Sequence, residues 1–199
     1  MRKICTLKCF LLFSVLVMIA IKGSAQIVAW NNNSLSGVTA GSINATTNNA
    51  NLNTSVLSRG SGITASSLGG GYASNRWDVA DKAAAIAGNK YYQCTISASS
   101  NFKVSLSTLD SKLRRSSTGP NAYIWRYSID GTTFTDIGSS VSFTDANTGG
   151  VVQPQINLAG ISDLQNVVSP TTITLRLYAC IFMQRRIVIP KLTSPSIQK

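Results

Sequence analysis

The sequence contains no histidine and no glutamate, and all seven of its acidic residues are aspartate. The absence of histidine excludes Ser-His-Asp and Cys-His nucleophile systems and histidine-ligated metal sites. The absence of glutamate excludes acid/base pairs that need this residue. Charged residues make up only 13% of the chain, against a usual ~25%, whereas hydrophobic residues make up 44%. This composition argues against a long disordered protein and is typical of about one globular domain.

Long apolar runs are also missing, except at the N-terminus. There an apolar run of about 12 residues, 10–21, follows a basic start and precedes Gly23-Ser24-Ala25. We therefore predict that residues 1–25 are a secretory signal peptide, cleaved before Gln26. A permanent membrane anchor fits less well because the run is shorter than the ~20 residues that cross a bilayer. The expected location is secreted, extracellular or at the cell surface, with no membrane span after cleavage.

Cysteine is scarce once this segment is removed, since only Cys94 and Cys180 remain. An exported protein can form a disulfide, but two cysteines do not establish their pairing. A small buried hydrophobic side chain at Cys94 explains the residue equally well. The sequence leaves both possibilities open.

The remaining chain consists of short strands separated by turns. Strand patterns alternate apolar and polar residues, with Tyr92, Cys94 and Ile96 on one face and Tyr91 on the other. Asp130-Gly131 is the strongest hairpin signal in the chain. A short helix is predicted within 78–87 and a helical turn within 160–167. The other predicted strands are 27–30, 56–64, 102–106, 122–129, 133–137, 151–158 and 171–178.

Short strands without an amphipathic helix of ordinary length predict an all-β fold over residues 26–180. We expect an antiparallel β-sandwich, jelly-roll-like in its connections. The polar stretch 31–55 is predicted to be a solvated loop, and a functional loop is the alternative, because loops of this length are uncommon. Tyr123, Trp125 and Ile129 share a parity and are expected to pack inward, and Phe102 shares an apolar parity with Val104 and Leu106.

Several motifs together resemble a family of uncharacterised secreted bacterial β-sandwich domains. Such domains are found in cell-surface proteins with C-terminal sorting signals, including the type IX secretion signal of Bacteroidetes. The resemblance implies a jelly-roll-like sandwich and an extracellular location, but no established activity and no catalytic residue. It covers about residues 27 to 180, and the segments that carry it are 56–62, 91–96, 109–120, 127–138 and 175–178.

Residues 181–199 depart from this pattern and form an atypical basic tail. Four basic residues and no acid occur there, and the polar alternation stops. Family members usually continue after Leu175-Arg-Leu-Tyr178 with a glycine-rich turn and one more strand. Two explanations remain open: a basic arm, or a truncated or frameshifted C-terminus.

Four residues are candidates for ligand contact: Trp77, Arg76, Tyr91 and Arg114. Trp77 stands beside Arg76 in a loop-like segment, and Arg114 belongs to the modest basic character of the body. Aromatic faces beside hydrogen-bonding groups suit recognition on a sandwich surface. For each residue, core packing or a solvated surface is the alternative.

We therefore expect a non-catalytic secreted module that binds extracellular polysaccharide or acts in surface adhesion. The alternatives are a purely structural surface or matrix domain and an Asp-dependent glycoside hydrolase, which needs two facing carboxyl groups. No cofactor or metal is expected, because calcium needs several clustered oxygen ligands and the aspartates are scattered. Residues 26–180 carry ten basic residues against seven aspartates, too few for a concentrated nucleic-acid-binding face.

Overall fold

The computed structural model describes residues 26–31, 39–67, 71–143 and 149–181. Within these ranges the chain forms sixteen strands, one short helix, Lys82–Ala87 (α1), and one 3-10 turn, Ser162–Leu164. The all-β class predicted from the sequence is confirmed. The predicted signal peptide and the tail from residue 182 onward lie outside the described residues.

Six strands form one fully antiparallel sheet. In order across the sheet they are Thr135–Ser142 (β12), Ala122–Ser128 (β11), Thr172–Cys180 (β16), Tyr91–Ser97 (β7), Val56–Arg59 (β4) and Ser42–Asn44 (β2). The sheet places the long β16 between β11 and β7, so the last described strand lies at its centre.

The other strands form five two-stranded antiparallel ladders. They pair Val28–Ala29 (β1) with Thr47–Asn48 (β3), Thr64–Ala65 (β5) with Ser74–Asn75 (β6), Lys103–Val104 (β8) with Val167–Val168 (β15), Thr108–Leu109 (β9) with Ile156–Asn157 (β14), and Lys112–Leu113 (β10) with Val151–Val152 (β13). Their short length fits the frequent turns in the sequence. The finer sandwich and jelly-roll arrangement stays a prediction.

One face of the six-stranded sheet, which we call the core face, carries the main hydrophobic core. Cys94 and Ile96 of β7 and Ile173 and Leu175 of β16 are all buried there, as their alternation predicted. Side chains from the short ladders and adjoining loops complete the same cluster, among them Val104, Leu106, Leu158, Leu164 and Val167. Side chains of the short ladders and loops therefore pack against the core face.

Helix α1 packs on the opposite face. Its fully buried Ala85 clusters with Ile124 of β11 and Tyr178 of β16. The Asp81 side chain caps the helix by accepting the Ala84 N–H at 2.8 Å. This helix lies inside the predicted range of 78–87 and has only six residues.

The predicted hairpin at Asp130-Gly131 joins β11 to β12. Asp130 Oδ1 accepts the backbone N–H groups of Thr132 and Thr133 at 2.7 Å each, and Gly131 has φ +76°. Because these N–H groups favour the charged form, they hold the pKa of Asp130 well below its ordinary value. The Asp130 carboxylate therefore stabilises the turn.

Some predictions about individual segments were wrong. The stretch 31–55, predicted as a loop, contains β3 and also β2, the edge strand of the main sheet. Ile129 was expected inside but is 43% exposed, because it follows the end of β11, where alternation no longer applies. Phe102, on the parity of Val104 and Leu106, lies just before β8 begins and is 47% exposed.

The two described cysteines are buried free thiols. Cys94 lies opposite Leu175 and points into the core face. Cys180 differs from Leu175 by an odd number of residues along β16 and therefore belongs to the other face. Strand alternation thus keeps the two thiols on opposite sides of the sheet.

Candidate functional site

A row of polar residues crosses the six-stranded sheet, with one residue from each strand in direct register. We call it the polar row, and its members are Asp136, Arg126, Arg176, Gln93, Ser58 and Ser42. At a strand spacing of ~4.8 Å, the row extends over about 24 Å. It lies on the face opposite the core face, because Arg176 follows Leu175 and precedes Leu177, which are both buried.

Arg176 is at the centre of the polar row. Its Nε donates a hydrogen bond to Gln93 Oε1 at 2.8 Å, and its Nη1 donates to Tyr178 Oη at 3.3 Å. The guanidinium carbon lies 4.1 Å from the Tyr91 ring centre and 4.0 Å from the Phe134 ring centre. These ring contacts favour the cation and hold its plane in place. Among the described residues, Arg176 forms no ion pair with a carboxylate.

Arg126, in contrast, is neutralised by Asp136. Its Nε lies 2.8 Å from Asp136 Oδ1, and Lys82 Nζ of α1 lies 2.6 Å from Oδ2 of the same carboxylate. The hydrogen bond from Lys82 is the main reason that the pKa of Asp136 is below its ordinary value. Lys82 and the polar row together carry three cationic groups and one carboxylate.

Of the four predicted site residues, only Tyr91 joins this arrangement. Its half-buried ring lies on the face of the polar row and packs edge-on against Tyr178, with ring centres 5.3 Å apart. The sequence placed Tyr91 opposite the apolar parity of its strand, and the structure confirms that orientation.

Trp77 lies on the core face of the sheet, opposite Tyr91. Its ring packs against Tyr92 with centres 5.1 Å apart and joins a cluster that contains Leu177, on the core face. Its Nε1 donates to the Ser74 carbonyl at 3.0 Å. Trp77, the candidate from the loop-like segment, is therefore half-buried and packs against the sheet.

The two predicted arginines are exposed and lie apart from the polar row. Arg76 has φ +68°, and its carbonyl accepts a hydrogen bond from Lys90 Nζ. Arg114 directly follows β10, whose Leu113 packs into the cluster on the core face. The structure therefore does not bring Trp77, Arg114 and Tyr91 into one site.

Sequence reasoning missed Arg126, Arg176, Gln93 and Phe134. The strand alternation contained a signal for the first three, because each is a polar residue between residues of the apolar parity. Their alignment depends on strand order and register, which alternation does not specify. Phe134 belongs to the turn region, and only the tertiary structure brings its ring to Arg176.

A separate groove of about 560 Å³ lies at the β8–β15 end of the molecule. It contains two of the exposed large hydrophobic side chains, Phe102 and Val168, the latter 57% exposed. Among the described residues that line it, Lys103 is the only charged one. This groove combines apolar surface with a single cation and does not include a predicted site residue.

The described residues contain no group of three or more Cys or Asp side chains placed to hold a metal ion. In the same ranges, no helix has the length and apolar character needed to cross a membrane. Comparisons with protein-family models, with curated proteins and with solved structures found no match. The resemblance to secreted β-sandwich domains therefore stays a prediction.

Proposed function

We propose that this chain is a secreted, non-catalytic module that binds an extracellular carbohydrate along the polar row. The observation that carries the proposal is the row itself, which presents hydrogen-bonding side chains from six neighbouring strands along one line. A linear polymer that lies across the strands would meet a new polar group at each strand. Tyr91 and Phe134 add aromatic surface beside Arg176.

The proposal also uses the predicted export signal and the resemblance to secreted domains. Both favour a partner outside the cell, where polysaccharides are abundant polar polymers. A row of polar groups that crosses six strands suits a polymer better than a small molecule, which usually needs a concave pocket.

Affinity gel electrophoresis of the purified chain in a panel of soluble polysaccharides tests this proposal. We expect retardation by at least one polysaccharide, and we expect Gln93→Ala and Tyr91→Ala to weaken binding about tenfold. Arg114→Ala is the matched control, because Arg114 is exposed and follows a ladder that packs on the core face. Loss of binding in Arg114→Ala but not in Gln93→Ala would contradict the proposed location. A folded protein that binds no polysaccharide would contradict the function.

A purely structural module is the second candidate. It is favoured by the internal pairing of the polar row, since Arg126 is bound by Asp136 and the Nε of Arg176 by Gln93. Under this alternative, Gln93→Ala lowers the free energy of unfolding and no polysaccharide binds.

An Asp-dependent hydrolase has less support. A general acid in such an enzyme needs a raised pKa, but Asp130 and Asp136 have pKa values below their ordinary range. The first carboxylate holds a turn and the second is bound to two cations. We therefore keep the non-catalytic proposal.

A further inference from the structure

We propose that the polar row recognises a carboxylate-bearing sugar, as found in acidic polysaccharides, and that Arg176 is the group that binds the carboxylate. This inference rests on the proposed function and specifies the ligand class for the same site.

The charge balance of the row is the first argument. Arg126 and Arg176 are direct cross-strand neighbours, an arrangement in which two like charges repel. Asp136 neutralises Arg126, but no carboxylate of the described residues reaches Arg176. An anionic ligand at Arg176 would offset this remaining positive charge.

The second argument is that Arg176 is already held in a fixed orientation. Gln93 fixes its Nε, Tyr178 contacts its Nη1, and two aromatic rings lie about 4 Å from its guanidinium carbon. Its Nη2 donates no hydrogen bond within the described part of the chain. A prepositioned side chain loses little conformational entropy when a ligand binds.

The third argument concerns the shape of the anion. The guanidinium group presents N–H donors in a planar fork that matches a planar carboxylate. Within the described residues, the row has one guanidinium without a carboxylate partner, which suits a single carboxylate of the bound polymer rather than a densely sulfated chain. The neighbouring Gln93 and Ser58 are placed for the hydroxyl groups of the same polymer.

The test compares three probes by isothermal titration calorimetry on the purified chain: polygalacturonate, its methyl ester and dextran sulfate. We expect polygalacturonate to bind at least tenfold more tightly than the methyl ester, in which the carboxylates are neutral. We expect dextran sulfate to bind more weakly than polygalacturonate at equal ionic strength. Equal affinity for the ester, or tighter binding of dextran sulfate, would overturn the carboxylate assignment.

Matched variants locate the interaction. Arg176→Gln should weaken polygalacturonate binding at least tenfold, and Arg176→Lys should recover only part of the affinity because it lacks the planar fork. Arg114→Gln removes the same charge away from the row and should leave binding unchanged. An equal loss in Arg176→Gln and Arg114→Gln would show general attraction to a basic protein and would overturn the inference.

The outcomes also separate this inference from the proposed function. A neutral polysaccharide that binds and depends on Gln93, together with no binding of polygalacturonate, would support the proposed function and overturn the acidic ligand class. Absence of binding to every probe would contradict both. The comparison of polygalacturonate with its ester uses the unaltered chain, so it stands even if Arg176→Gln fails to fold.

Discussion

Arg126 and Arg176 lie directly opposite each other on β11 and β16, on the same face of the sheet. Two cations in this position repel each other, and the two arginines have different partners that offset this repulsion. Arg126 receives an ion pair from Asp136, whereas Arg176 receives aromatic contacts and the neutral Gln93 amide oxygen. One of the two charges therefore stays uncompensated within the described residues, and the proposed binding site follows from that difference.

Replacing Asp136 with Asn should lower the free energy of unfolding at pH 7 by about 1 kcal/mol, since the lost ion pairs are partly exposed and screened by solvent. Because folding lowers the pKa of Asp136, its stabilisation is present above the ordinary pKa of ~3.9. It is lost as the pH falls through the lower folded-state pKa. Urea unfolding at several pH values should therefore show the variant and the parent converging below about pH 4.

The matched control for this measurement is Asp110→Asn. Asp110 is an exposed aspartate that accepts one hydrogen bond from Gln155, which an Asn oxygen can also accept. We expect it to change stability at pH 7 by less than about 0.5 kcal/mol. A constant difference between Asp136→Asn and the parent at all pH values would contradict the assigned role of the ion pairs.

Gly131→Ala should destabilise the chain by about 1 kcal/mol, because Gly131 has φ +76° and an L side chain is strained there. A Cβ at this position meets no atom within 4 Å, so the cost is conformational and not steric. Gly160→Ala is the control, since its Cβ also meets open space and its φ is not positive. Equal urea midpoints for the two variants would contradict this account of the hairpin.

Cys94 and Cys180 should both resist alkylation in the native protein. Burial raises the pKa of the Cys94 thiol to about 12 and also raises the pKa of Cys180, so the reactive thiolate is scarce at pH 8. Iodoacetamide labelling followed by peptide mass spectrometry should find both residues unmodified before denaturation and modified after it. Recovery of a peptide that links Cys94 to Cys180 would disagree with their positions on opposite faces.

Leu175→Ala should lower the free energy of unfolding by about 3 kcal/mol, because this central side chain is only 2% exposed and its removal leaves a cavity. Val168→Ala serves as the control at an apolar residue that is 57% exposed, with an expected loss below about 0.5 kcal/mol. Guanidinium denaturation measures both. Similar losses in the two variants would contradict the assignment of the core to the face that carries Leu175.

The sequence by itself determined the all-β class, the hairpin at Asp130-Gly131 and the faces of β7 and β16. These features are local: alternation separates Cys94 from Tyr91, and turn chemistry acts within a few residues. The same local rules failed at Ile129 and Phe102, which lie just outside strands, where alternation does not describe the side-chain direction.

Only the tertiary structure decided which strands are neighbours and in what register they pair. That register aligns Arg126 with Arg176 and Arg176 with Gln93, although these residues are far apart in the chain. Tertiary packing also places Trp77 beside Tyr92, on the face opposite Tyr91. A shift of register by one residue would exchange core and polar faces, so long-range packing, rather than any local pattern, creates the polar row.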